Sequence, residues 1–135
     1  MKKKFYNYIR GIEMTLTNIF KAQAIFAWLW AVMFWFAPAM VAQGPGWELT
    51  AESIAFGQIV SVPMTVLGVI MWMAPTWAPD NLKKFGMLIG VYANAGFAAV
   101  QLFHVSTGVS KFDPLGMIPT VIFIALFLWK CRASD

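Results

Sequence analysis

Residues 86–104, GMLIGVYANAGFAAVQLFH, form a hydrophobic run with an uneven texture. A span of the hydrocarbon core needs about 20 predominantly apolar residues, and this stretch meets that length. Gly86, Gly90, Asn94 and Ala98 recur every fourth residue. Such a small-residue stripe lets a second helix approach closely within a membrane. Asn94, Gln101 and His104 fall on or near the same side at helical periodicity. The stretch therefore predicts an inner, protein-facing helix of a membrane bundle.

Composition points the same way. Of the 135 residues, 60% are hydrophobic and only 12% charged, with a mean hydropathy of +0.67. Soluble domains carry about 25% charged residues, so half that share cannot clothe a surface in water. Lipid is the expected solvent, and membrane lipids the first partners. Nine Met, seven Trp and twelve Phe supply a bulky, deformable apolar surface suited to lipid, pigment or other helices.

Outward from the quoted stretch, three further spans follow. The first is expected over about 22–42, AQAIFAWLWAVMFWFAPAMVA, with Pro38 kinking or ending it. Its rings surround the helix, so some of them must face lipid. Gln43-Gly44-Pro45-Gly46 then breaks the chain, and Trp47 suits an interfacial anchor. The second span, about 51–73, opens at Thr50 as N-cap with Glu52 in its first turn. It carries Gly57, Ser61, Thr65 and Gly68, a small-residue row expected to pair with the Gly86–Ala98 row. Asp80 is the expected cap of the third span, about 85–105. Asp113-Pro114 reads as N-cap and first residue of the fourth, about 114–130. Ahead of all four, residues 1–21 place Phe5, Tyr8, Ile9, Ile12, Leu16 and Ile19 at i, i+3, i+4, i+7 spacing, with basic residues largely off that face. That pattern predicts an amphipathic helix lying in the membrane interface. The expected fold is an all-α, four-span bundle with an N-terminal interfacial helix, in one membrane domain over 1–135.

Charge sets the expected orientation. Nine of the ten Lys and Arg residues lie in the N-terminal segment, the loop around Lys83-Lys84 and the C-terminus; only Lys111 lies on the other side. The positive-inside rule then places both termini in the cytoplasm, as in a bacterial or archaeal inner membrane. The basic balance is topology, and nucleic acid is not an expected partner.

The six acidic residues, Glu13, Glu48, Glu52, Asp80, Asp113 and Asp135, all fall outside the spans or at their ends. Proton-coupled pumps and exchangers place ionisable groups at depth, which this chain does not. Small multidrug transporters depend on a membrane-embedded Glu in their first span; here that span offers only Gln23. No internal repeat, phosphate loop or nucleophile–base–acid set occurs, so no catalytic residue is assigned, and an enzymatic role requires a partner subunit to supply most of the site. One His and one Cys, Cys131, cannot form a protein-only metal site.

Two functions remain. The leading expectation is a non-catalytic accessory or structural subunit of a larger membrane complex of an energy-transducing or oxidase type, with other integral subunits or a homo-oligomer as partners. The alternative is a binder or carrier of a small lipophile. His104, Gln101 and Asn94 are its candidate cofactor-binding residues. His104 would ligate a haem iron or a chlorophyll-type magnesium, or hydrogen-bond to Ser106, Thr107 or a neighbouring helix. Asn94 and Gln101 would bond across helices, or hold a quinone carbonyl or a sterol-like headgroup with Gln58 opposite.

The layout over about residues 19–130 resembles the small four-helix membrane proteins of the DoxX-like and related families. The shared features are a Phe36-Ala37-Pro38 step ending the first span, Gly-rich second and third spans, and a His near the end of the third. The resemblance implies a four-helix membrane fold and assigns no residue a role.

Overall fold

The computed structural model describes residues 14–133. It is all-helical, and four of its helices are long and apolar enough to cross a membrane. We number them with the short connector included: α1 (Leu16–Phe36), α2 (Pro38–Gln43), α3 (Ala51–Trp77), α4 (Pro79–Ser106) and α5 (Pro114–Arg132).

The helix ends follow local chemistry. Thr15 caps α1 by accepting from Asn18 N–H at 3.2 Å. Thr50 caps α3 as expected, and Ser53 returns the favour in a capping box, accepting from Thr50 N–H at 2.9 Å. Asp113 accepts from Leu115 N–H at 3.1 Å and Pro114 opens α5, also as expected. Asp80, by contrast, does not cap α4; it lies inside a 3₁₀ turn, Pro79–Asn81, that makes no side-chain cap. Gly46, at φ 72°, supplies the left-handed turn that ends the connector after α2.

The N-terminal expectation shifts. Residues 1–13, most of the expected interfacial helix, lie outside the described residues. Leu16–Lys21, its expected end, form the first turns of α1, where Ile19 and Phe20 are buried in the core. The amphipathic spacing at Leu16 and Ile19 therefore belongs to a spanning helix. α1 also stops at Phe36, earlier than expected, because Pro38 starts a separate short helix.

Packing follows an order different from the chain order. α1 packs extensively on α3 and, on its other side, against α5, which in turn packs against α4. The bundle is thus a curved row, α3–α1–α5–α4. Its outer members, α3 and α4, make their main contacts around the turn that joins them. The expected pairing of their two small-residue rows does not occur, and glycines of each row are met by side chains from other helices. A Cβ at Gly57 would meet Phe34 Cδ1 at 2.6 Å, and one at Gly68 would run into the Trp28 indole. Trp28 Nε1 donates to Thr65 O at 3.1 Å, and Trp35 Nε1 to Ser61 Oγ at 2.7 Å. On α4, Gly86 faces Cys131 and Gly90 lies against the Phe127 ring, both from α5.

The core is lopsided. Its buried cluster, Ile19, Phe20, Ala24, Met71, Ala74, Val91 and Phe127, sits at the end where α1 begins and α5 finishes. There Phe20 and Phe127 make an edge-to-face pair at 4.9 Å. Toward the opposite end α3 and α4 splay apart.

Candidate lipophile-binding cleft

The splay leaves a cleft of about 650 Å³, within the usual range for small-molecule sites. α1 and α5 form its floor through Gln23, Phe26, Trp30, Phe34, Met117 and Thr120. α3 supplies one wall with Phe56, Val60, Met64 and Leu67, and α4 the other with Ala93, Asn94, Phe97 and Gln101. The loops close the far end, where Lys111 N–H donates to Pro45 O at 2.7 Å. Phe56 and Phe97 line the cleft and yet remain 68% and 55% exposed. Little packing joins the walls above their shared turn, so the cleft is open between α3 and α4.

All three sequence-predicted site residues line this cleft. They act at different depths. Asn94 lies deepest and is tied down: its Nδ2 donates to Gly90 O at 2.8 Å, and its Oδ1 accepts from Gln23 Nε2 at 2.9 Å. Interhelical bonds of this sort are worth about 0.6 kcal/mol on average in membranes. The chain around Asn94 is unusual. Residues Gly86–Ala93 form a π-helix, and Asn94 N–H reaches back to Val91 O. Wider turns of this kind concentrate at functional sites. Here Gly90, with no Cβ between it and the Phe127 ring, allows the close approach that accompanies the widened turn.

Gln101 and His104 are nearer the loop-covered end and, like Asn94, half-buried. A Cβ at Gly116 would meet Asp113 Oδ2 at 3.0 Å and Gln101 Nε2 at 3.1 Å, so the bare glycine brings this amide and carboxylate to one spot. Ser106 Oγ donates to Phe103 O at 2.8 Å and Thr107 Oγ1 to the same carbonyl at 2.9 Å. These hydroxyls turn back on their own helix, and the His104 imidazole is not engaged by them as the sequence reading allowed. Among the described residues its one ring neighbour is Phe103 at 6.0 Å. Gln58, expected opposite, is not part of the lining; its carbonyl accepts from Ser61 Oγ at 2.6 Å on α3.

A further polar residue lines the cleft beside the three expected ones. Gln23 is only 5% exposed, lines the floor, and has an Oε1 without a donor among the described residues. Leaving such an acceptor unpaired costs about 1–3 kcal/mol, and a bilayer offers no water to relieve it. The available signal was a lone amide inside an otherwise apolar span.

The arrangement can hold an apolar molecule against rings and offer it hydrogen bonds at two depths. No metal-binding group of three or more His, Cys, Asp or Glu occurs among the described residues. Comparison with known proteins adds no relative: no family model, curated protein or solved structure matches the chain.

Proposed function

We propose that this chain is an integral membrane protein that takes up a small lipophile from the bilayer and holds it between α3 and α4. The observation that carries this reading is the open, ring-lined cleft of about 650 Å³ with Gln23, Asn94, Gln101 and His104 along it. The convergence of a few polar groups on an apolar concavity is the usual form of a small-molecule site. The clustering of Lys21, Lys83, Lys84, Lys130 and Arg132 near the closed end supports an orientation with that end, and both termini, in the cytoplasm. The cleft then opens in the opposite leaflet. A bacterial or archaeal inner membrane fits this pattern.

Extraction of the purified protein and mass spectrometry of what it carries tests the reading. A discrete lipophile at one per chain is expected, and only bulk phospholipid would refute it. A visible spectrum taken on the same sample assigns a haem or chlorophyll-type pigment on His104 if the sample is coloured, and a colourless lipophile otherwise.

A second reading, an accessory subunit of a larger membrane complex, is favoured by one observation. Over Asn94–Ser106 no residue of α4 is buried, and Val100, Leu102 and Phe103 are exposed. A helix from another integral subunit would cover that face. Stoichiometric co-purification of such a subunit from native membranes is the expected result; a chain that purifies alone and stays folded contradicts it.

A further inference from the structure

The hydrogen bonds at the cleft floor decide which way round two amides sit, and this has a consequence for the ligand. Gly90 O can only accept, so the group of Asn94 that faces it at 2.8 Å is the nitrogen. Asn94 therefore presents its oxygen to Gln23, and Gln23 must answer with its nitrogen, at 2.9 Å. Flipping either amide would set acceptor against acceptor or donor against donor. Gln23 Oε1 is thereby left over, enclosed and without a donor among the described residues. The cleft-lining residues on the same face of α1 at i+3 and i+4, Phe26 and Ala27, carry no polar side chain to supply one.

We propose that the cleft selects lipophiles whose polar end carries a hydrogen-bond donor, an alcohol or phenol hydroxyl, which seats on Gln23 Oε1 by displacing the side chains that enclose it. This rests on the reading of the cleft as a lipophile site and narrows it by chemical class. The apolar remainder of the ligand leads past Trp30 and Phe97 and out between the sparsely packed walls into lipid. A ketone or ether of the same shape would bring an acceptor against an acceptor and leave Oε1 unpaired. Where a ligand exists in two redox forms, the hydroquinone is favoured over the quinone for the same reason.

The test uses two probes that differ only in the donor, 4-nonylphenol and its methyl ether, 4-nonylanisole. Each is titrated into the full-length protein in phosphatidylcholine nanodiscs and bound probe is counted by native mass spectrometry. The expected result is saturable binding of both, with the phenol about tenfold tighter, as one buried hydrogen bond provides. Gln23→Leu should bring that ratio close to one while the ether still binds. If that variant does not fold, the wild-type ratio decides alone. Saturable binding with equal affinity, or tighter binding of the ether, overturns the donor rule and leaves the cleft as a lipophile site. No saturable binding of either probe overturns both.

Discussion

The two ends of this bundle are built from similar residues and do opposite things with them. At the closed end Gly90 is covered by the Phe127 ring, which is fully buried and meets Phe20 edge-on. Toward the open end Phe56 and Phe97 stand on facing walls with no ring between them, and both stay largely exposed. A glycine opposite a ring closes a helix pair; two rings facing across a gap leave a slot. The difference shows that hydrophobic content alone does not say where a membrane bundle is solid. Interior density comes from complementary shapes, since lipid is as apolar as the side chains and drives no collapse.

The largest expected effect falls at the closed end. Phe127→Ala should destabilise the protein by about 3–5 kcal/mol, the usual cost of emptying a buried ring site, read by unfolding in detergent. The equivalent change in the cleft, Phe97→Ala, should cost far less, about 1 kcal/mol or below, because that residue is more than half exposed. Equal losses would break the contrast. Gly90→Ala comes next. A Cβ there runs into the Phe127 ring, so about 1–3 kcal/mol of overpacking is expected, seen as a lowered melting temperature.

Asn94→Leu couples the two regions. It removes the partner of the buried Gln23 amide and should cost about 1–3 kcal/mol together with ligand retention. Gln101→Leu should have the smallest effect on stability, within about 0.5 kcal/mol, because the half-exposed amide makes no hydrogen bond to another described residue. Its retention of ligand, measured by extraction and mass spectrometry, should nevertheless fall. Unchanged retention would remove Gln101 from the site.

Helix content was readable from composition and punctuation. Thr50, Asp113-Pro114 and the Gly44–Gly46 break act locally, so their effects are visible in a few residues of sequence. Which helices neighbour one another was not readable. The Gly57–Gly68 and Gly86–Ala98 rows look like mutual partners, yet a groove cut by glycine accepts a ring as readily as another groove. The rings of α1 and α5 won both. The π-helix at Gly86–Ala93 was hidden for a related reason, since it accompanies a tertiary contact with Phe127. Asn94, Gln101 and His104, which line the cleft, were legible as candidates because polar groups are conspicuous in apolar spans. Gln23 was passed over because nothing in its own helix shows that Asn94 lies opposite it.

The central claim is that the space between α3 and α4 is a binding site and not a packing fault. Ala93→Trp tests it most directly, because Ala93 lines the cleft, is exposed, and is not a member of the buried cluster. The measurement is saturable binding of 4-nonylphenol in nanodiscs, beside the melting temperature of the same variant. A filled cleft should lose binding while the protein melts at or above the wild-type temperature. Full binding by a folded Ala93→Trp protein would contradict the account.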